Sequence, residues 1–315
     1  MKNIVVIGGG HGLSTILKGI KQLNDINISA IVTVADDGGS TGRLRERYTI
    51  PAMGDIRSVM LALSDSEPLM HDLMNYRFAG SDDTDISGHS LGNLILTALT
   101  NMSGSFDQAI KTASSFLKVN GKIIPSTLQY VTLSAKMEDG TIVEGEKNIP
   151  NEKQYIEEVF YSTDVKAKPE AVKAIENADL IIYGIGSLYT SILPNTIIPG
   201  ICEALNNSKA KKVYFANSMT QASETYNYDL KDHLNALKKH NTPVDIVIMH
   251  NNKIPVEIVE RYLYRDSIEV KNNHNCDIEV KEYDLLNFDK GLVRHDPVKI
   301  RKVVEELLQC LLLHK

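Results

Sequence analysis

Residues 3–14 read NIVVIGGGHGLS, and this stretch decides the fold. Its first five residues form a short apolar run, which is typical of a buried parallel strand. Glycines follow at 8, 9, 10 and 12, and apolar residues then recur at helical spacing over 13–23. A second apolar strand covers 28–35. A strand, a glycine turn, a helix and a strand in this order predict a right-handed parallel crossover.

The rest of the chain predicts a run of helices and then a return to alternating strands and helices. The helices of the first group cover 55–64, 67–78, 90–102 and 105–118; the later strands cover 179–184, 212–216 and 244–249; the later helices cover 190–206, 228–239 and 296–313. Residues 80–90 are polar and contain glycine, which is typical of a loop. Alternation over 129–148 around an Asp139-Gly140 turn predicts an antiparallel hairpin at the sheet edge.

These elements together predict a Rossmann-like α/β fold with a mostly parallel sheet. The simplest organisation is one nucleotide-binding domain over 1–315, with a helical insertion at about 54–118 and the hairpin at about 129–148. A chain of 315 residues is long enough to bury a substantial core.

Charge and cysteine content exclude several classes of protein. The formal net charge of −6 provides no global basic field for nucleic acid or anionic lipid. Three scattered cysteines are neither a disulfide framework nor a metal knuckle, and they fit a reducing compartment. No signal peptide is recognisable, and no apolar stretch is long enough to span a bilayer. We expect a cytoplasmic protein without membrane insertion.

The glycine loop at the end of the first predicted strand is the first candidate site. Gly8, Gly9, Gly10 and Gly12 allow backbone N–H groups to approach an anion at a helix N-terminus. His11 either points at a phosphate or caps the helix. The spacing departs from the dinucleotide fingerprint, and no Lys-Ser or Lys-Thr follows as in a P-loop. A tight turn without any ligand stays open as the plain alternative.

The second candidate is ADDGGSTGRLR at 35–45, which follows the second strand at the edge where open α/β sheets bind ligands. Asp36 or Asp37 is suited to a ribose hydroxyl, to Mg²⁺ or to a catalytic base. The glycines and Ser40 are expected to offer mobile backbone donors, and Arg43 with Arg45 supplies charge suited to phosphate. The alternative is a solvated surface loop.

Two helix starts follow within the predicted insertion. In PAMGDIR at 51–57, Asp55 is either a helix cap or a third candidate catalytic acid, and Arg57 in the first turn makes sense if an acid or a phosphate faces it. In GHSLGNL at 88–94, His89 or Ser90 is expected at the cap. Asn93 has no obvious structural need there and is a candidate ligand residue.

The second half of the chain repeats the logic of the first loop. Gly184, Gly186 and Ser187 follow a strand and open a helix that contains Asn195. Two such loops in one sheet form the lips of a crevice. Asn217 and Thr220 follow the next strand, where they are suited to base or sugar contacts, or to capping a helix.

Six segments in order resemble one family, which joins the phospholactate transferases of deazaflavin-cofactor biosynthesis (CofD) with the bacterial gluconeogenesis factors (YvcK-like). They are GGGHGLS, ADDGGSTGRLR, PAMGDIR, GHSLGNL, GIGSLYTSILPN at 184–195 and NSMTQ at 217–221. GRLR, GHSLGNL and Arg294-His295-Asp296 are similar to the gluconeogenesis-factor branch in particular.

The resemblance implies a three-layer α/β/α core with a doubly wound sheet and a nucleotide cleft across its strand ends. The cleft would be lined by the loops at 8–12 and 184–187, with the side chains of Asp36, Asp37, Asn93, Asn217 and Thr220, and Arg294 would reach the diphosphate. The implied ligand is a UDP-sugar such as UDP-N-acetylglucosamine. The implied role lies in cell shape and cell-wall growth on gluconeogenic carbon, with cell-envelope regulatory proteins as partners, and no reaction is firmly attached to this branch.

Other hypotheses stay open from the sequence. The transferase branch implies movement of a phospho-acid from a nucleotide carrier to a deazaflavin acceptor, with Mg²⁺ at Asp36 or Asp37. An NAD-dependent oxidoreductase is disfavoured by the glycine spacing. An interaction protein would use the glycine loops only as turns. A homodimer is the default assembly for such a domain.

Overall fold

The computed structural model describes residues 1–80, 86–151, 154–274 and 276–313. Its strands are β1 (Lys2–Gly8), β2 (Ile26–Val32), β3 (Lys122–Pro125), β4 (Leu133–Met137), β5 (Ile142–Glu144), β6 (Ile156–Tyr161), β7 (Leu180–Tyr183), β8 (Lys211–Phe215), β9 (Ile246–His250), β10 (Glu279–Tyr283), β11 (Leu286–Asn287) and β12 (Arg294–His295).

The α-helices are α1 (Gly10–Ile20), α2 (Gly39–Tyr48), α3 (Gly54–Leu63), α4 (Pro68–Asn75), α5 (Leu91–Ser103), α6 (Phe106–Phe116), α7 (Pro169–Glu176), α8 (Leu193–Thr196), α9 (Pro199–Asn207), α10 (Leu230–Lys239), α11 (Val256–Leu263) and α12 (Pro297–Leu313). A π-helix at Leu188–Ile192 leads directly into α8.

Seven parallel strands form the central sheet in the order β10-β9-β8-β7-β1-β2-β3. The chain runs outward from β1 through β2 to β3, returns to β7 on the other side of β1, and runs outward again. Right-handed crossovers in opposite directions place helices on opposite faces, which confirms the doubly wound, three-layer α/β/α fold. The switch point between β1 and β7 is where such a sheet opens a crevice.

The burial of β1 reflects its place inside the sheet, between β7 and β2. Residues Ile4 to Ile7 of this strand are at most 1% exposed, as expected for a parallel strand that is covered on both faces. On one face α1 packs against α3 and the long C-terminal helix α12. The apolar stripe of α1, with Leu13, Ile16 and Leu17, is fully buried beneath them.

Three features differ from the sequence-based expectation. The hairpin at 129–148 forms, but β4 pairs with β5 and β6 in a separate antiparallel sheet and not with an edge of the main one. The predicted helix at 190–206 is divided into the π-helix, α8 and α9. The break between α8 and α9 falls at Pro199, which cannot donate a backbone hydrogen bond. Residues 39–45, expected as a loop, begin α2.

The predicted loop at 80–90 is described only in part, because residues 81–85 lie outside the described residues. Gly88 N–H donates to Phe78 O at 2.9 Å, and Phe78 N–H donates to His89 O at 3.1 Å. These two bonds hold the end of the loop beside the start of α5. Among the helices of the described ranges, none is long and apolar enough to cross a membrane.

Candidate functional site

The two glycine loops meet at the switch point between β1 and β7. Gly184 N–H donates to Ile7 O at 2.9 Å, so the loop after β7 begins against the end of β1. A Cβ built on Gly12 would lie 1.1 Å from Ile185 O, which means that α1 packs directly on the backbone of the second loop. Only glycine allows this approach. The two loops therefore meet at the same edge of the sheet, and their role as the walls of a ligand crevice stays a prediction.

Two asparagines hold these loops in place. Asn195 is fully buried, and its Nδ2 donates to Gly8 O at 3.1 Å and to Ser191 O at 2.8 Å. Asn217 Nδ2 donates to Gly186 O at 2.9 Å. Both amides were candidate ligand contacts. In this structure their N–H groups bond to the backbone of the two glycine loops and hold those loops in place.

A carboxylate from another part of the protein, that of Asp55, lies at the N-terminus of α1. The N-cap residue Gly9 has no side chain to offer, and the backbone N–H of Gly10 donates to Asp55 at the start of α3. A Cβ on Gly9 would lie 2.3 Å from Asp55 Oδ2. Burial, and to a smaller extent the nearby Asp36, raise the pKa of Asp55 to about 7 against the opposing effects of the Gly10 N–H and Arg57. Asp55 therefore occupies the position where the helix dipole favours an anion.

Asp36 and Asp37 lie at the end of the β2–α2 connection. Asp36 Oδ1 accepts a hydrogen bond from Gly38 N–H at 2.9 Å, and burial raises the pKa of this carboxyl. Asp37 Oδ1 accepts from Lys147 N–H at 2.8 Å, which fastens the segment after β5 to the crevice. The two acids thus face different neighbours.

Arg45 corrects one expectation from the sequence. Its side chain is 1% exposed beneath the loop, and its guanidinium donates to Ala35 O, Asp36 O and Val131 O. It also lies 4.6 Å from the centroid of the Tyr130 ring. With Nη1 and Nη2 bonded to backbone carbonyls and the side chain buried, Arg45 supports the loop and is not placed to meet a phosphate.

Two further carboxylates were missed from the sequence. Burial raises the pKa of Glu146 to about 8, and Asp36 and Glu224 are the next contributors. Burial also raises the pKa of Glu224 to about 7, although Thr190 Oγ1 donates to its Oε1 at 2.9 Å. No local motif marks either residue, because the hairpin segment and the loop after β8 bring them to the crevice only in three dimensions.

Ser40, His89, Asn93 and Arg57 form a buried network behind the acids. Ser40 Oγ lies 2.8 Å from His89 Nδ1 and accepts from Asn93 Nδ2 at 3.2 Å. Arg57 Nε donates to Asn93 Oδ1 at 3.0 Å, and its Nη1 donates to Asn75 Oδ1 at 2.7 Å. Both ends of the Asn93 amide are therefore used within the protein. Burial lowers the pKa values of His89 and Arg57, with the cations Arg43 and Arg77 adding to the effect for His89.

The remaining candidate residues lie nearer to solvent or farther along the edge. His11, Arg43 and Arg294 are exposed, and Arg43 donates to Ser87 O. Ser187 Oγ accepts from Gln221 Nε2 at 2.7 Å. Thr220 does not cap a helix, since its hydroxyl accepts from Ile268 N–H at 2.9 Å. Among the residues that the structure describes, no group of three or more His, Cys, Asp or Glu side chains is arranged to hold a metal ion.

Comparison with known proteins identifies the family. A family model described as 2-phospho-L-lactate transferase CofD matches residues 4–288. The chain belongs to the CofD family. The gluconeogenesis factor of Bacillus subtilis is 43% identical over 313 residues, which cover 97% of this chain and 98% of that protein. The gluconeogenesis factor of Listeria monocytogenes is 44% identical over 315 residues, covering 98% and 95%.

A solved structure shows the same architecture. A member of the UPF0052 family from Bacillus halodurans superposes with a TM-score of 0.92 at 41% sequence identity, covering 96% of this chain and 99% of that one. The resemblance drawn from the six sequence segments is confirmed for both family and fold. The individual site residues stay predictions.

Proposed function

We propose that the protein is a gluconeogenesis factor that binds a UDP-sugar, such as UDP-N-acetylglucosamine, across the β1–β7 switch point. One observation supports the proposal: the glycine loop that opens α1 packs directly against the loop at 184–187 at the β1–β7 switch point. Glycine loops at the carboxyl ends of neighbouring parallel strands are suited to a diphosphate. The role in cell shape and cell-wall growth belongs to the same proposal, and it rests on the full-length similarity to proteins named gluconeogenesis factors.

The acids of the crevice define how a diphosphate would enter. Asp36, Asp55, Glu146 and Glu224 influence one another electrostatically, so a bare diphosphate would meet repulsion when they are charged. Carboxylate and phosphate oxygens are the ligands that Mg²⁺ prefers. Mg²⁺ held by Asp36 or Asp37, with the diphosphate completing its coordination, would remove that repulsion. The exposed Arg43 and Arg294 would add positive charge from outside.

Calorimetric titration of UDP-N-acetylglucosamine and UDP-glucose, with and without Mg²⁺, tests the proposal. We expect saturable binding that Arg294→Gln weakens by about 1.5–3 kcal/mol, because a charge-assisted bond to phosphate is lost. Arg265→Gln, another exposed arginine, is the matched control and should bind normally. Absence of heat and of any thermal shift at millimolar ligand would rule out the UDP-sugar proposal.

A second candidate function is transfer of a phospho-acid from a nucleotide carrier to a deazaflavin acceptor. The family model favours it, and so does Asp55, whose pKa near 7 suits proton exchange with an acceptor hydroxyl. In such a step the acceptor oxygen would form the new bond to phosphorus, and the nucleoside monophosphate would leave. Mass spectrometry of a deazaflavin acceptor incubated with the loaded nucleotide and Mg²⁺ would detect the product, and an unchanged acceptor would exclude this reaction.

A further inference from the structure

A cavity of about 470 Å³ lies outside the crevice, between the hairpin sheet and α10. Four tyrosines line it, namely Tyr155, Tyr189, Tyr226 and Tyr228. Its volume falls in the range of small ligand sites. Tyr189 belongs to the π-helix at Leu188–Ile192. The residue that follows Tyr189, Thr190, lies in the same helix and donates a hydrogen bond to Glu224 in the crevice. None of the segments that suggested the nucleotide site accounts for this concentration of aromatic rings.

Two of the rings, those of Tyr155 and Tyr226, are open to solvent, whereas Tyr189 is buried and Tyr228 is packed among its neighbours. Tyr155 and Tyr228 are nearly parallel, with an interplanar angle of 14° and centroids 6.3 Å apart. Tyr189 meets Tyr228 edge-on, and their hydroxyl oxygens lie 3.0 Å apart. Tyr155 and Tyr226 are each 43% exposed, which is high for large aromatic side chains. The electron-rich face of a tyrosine ring attracts cations.

The charge around the rings is negative. Glu138, Glu157 and Asp232 line the cavity together with one cation, Lys239. Glu157 is paired with Lys136 at 2.8 Å and with Lys239 at 3.2 Å, so its negative charge is compensated and the three groups together carry one positive charge. In the part of the chain that the structure describes, Glu138 and Asp232 have no ion pair. Burial raises the pKa of the Tyr228 hydroxyl, and the charges of Asp232 and Glu138 raise it as well.

We propose that this cavity binds an arginine side chain of a partner protein. A guanidinium is planar and stacks on aromatic rings, and its forked donors match a carboxylate such as that of Glu138. A lysine ammonium lacks both the plane and the fork. An anionic partner would be repelled by Glu138 and Asp232. A neutral aromatic group would leave Glu138 uncompensated, whereas Asp232 Oδ2 already accepts from Asp229 N–H at 3.0 Å at the start of α10. The exposed rims at Tyr155 and Tyr226 give a side chain direct access from solvent.

Titration of the full chain with N-acetyl-arginine amide, followed by proton NMR, tests the site. We expect saturable upfield shifts of the arginine methylene protons from ring currents. Affinity should be at least tenfold higher than for N-acetyl-citrulline amide, which has the same shape without the charge, and higher than for N-acetyl-lysine amide. A nine-residue peptide with a central arginine should bind more tightly than the amide. If the amide binds and the peptide does not, the partner-protein assignment is overturned.

Two exposed substitutions separate binding from folding. Glu138→Gln and Tyr155→Leu should each weaken binding of the arginine peptide at least fivefold while leaving the thermal midpoint of unfolding within about 2 °C, because neither position is buried. The matched controls are Glu257→Gln and Tyr264→Leu, both exposed and away from the cavity. Equal affinity for the arginine and citrulline compounds, or unchanged affinity in both cavity variants, would overturn the proposal.

Discussion

Gly12→Ala is expected to lower the free energy of unfolding by at least about 3 kcal/mol, at the severe end of overpacking effects. The added methyl group would lie 1.1 Å from Ile185 O and 2.1 Å from Ile185 C. Both atoms belong to the backbone, so no side-chain rotation relieves the collision. The first turn of α1 would have to separate from the loop at 184–187, and the crevice would open along its whole length.

Chemical denaturation measures the loss of stability, and nucleotide titration measures the loss of the site. Gly39→Ala is the control, since a Cβ there meets open space and only its left-handed φ of +45° opposes the change. We expect that variant to lose about 1 kcal/mol, the usual cost of a left-handed non-glycine residue. Comparable losses in the two variants would show that the contact between the glycine loops is not what holds the crevice together.

The second large effect is a dependence of nucleotide binding on pH. Asp55 and Glu224 have pKa values of about 7 and Glu146 of about 8, so the three are largely neutral at pH 6 and charged at pH 8.5. A unit charge at about 6 Å costs roughly 3 kcal/mol at an effective dielectric constant of 20. Without Mg²⁺, affinity for a UDP-sugar should therefore fall at least tenfold from pH 6 to pH 8.5.

Asp55→Asn tests which carboxylate is responsible. The amide oxygen can still accept the Gly10 N–H, but it cannot become charged, so the decline in affinity with pH should flatten. Asp164→Asn, an exposed carboxylate elsewhere, should leave the pH dependence unchanged. An affinity in the wild-type protein that does not vary between pH 6 and pH 8.5 would contradict the arrangement of acids described above.

The same acids have a consequence for stability without any ligand. A carboxyl whose pKa is higher in the folded than in the unfolded chain stabilises the fold at low pH, and this contribution is lost as pH rises through the folded pKa. The contribution of these acids to thermal stability should therefore decline between about pH 4, near the carboxyl pKa values of the unfolded chain, and about pH 8, by less in Asp55→Asn. His295 has the opposite effect. Burial lowers its pKa to about 3, so the stability of the fold decreases as the pH falls below about 6.5, the pKa of a histidine in the unfolded chain.

The glycine loops were predictable because parallel strands end at one edge of a sheet. Once 3–7 and 179–184 were predicted as strands of that sheet, Gly8–Gly12 and Gly184–Ser187 had to share its carboxyl edge. Glu146 and Glu224 were not predictable in this way. Glu146 reaches the crevice only because the separate hairpin sheet folds back and Asp37 binds the N–H of Lys147.

Residue type alone did not distinguish a ligand contact from a support. Asn93 and Asn195 have the amide groups that bind sugars, and the same groups satisfy buried backbone carbonyls and a buried arginine. Arg45 has the charge that binds phosphate, yet tertiary burial directs it to three carbonyl oxygens. The helix at Gly39–Tyr48 likewise forms despite its glycines because Ser40, Thr41 and Arg45 are buried.

The position of β1 also bears on how the chain is made. Its neighbour β2 emerges from the ribosome almost at once, but its other neighbour, β7, ends at Tyr183. Until then β1, whose residues Ile4–Ile7 are buried in the complete fold, has one unpaired edge, which is a template for association with other chains. Nascent or truncated chains shorter than about 183 residues therefore carry that open edge, and their survival depends on whatever covers it during synthesis.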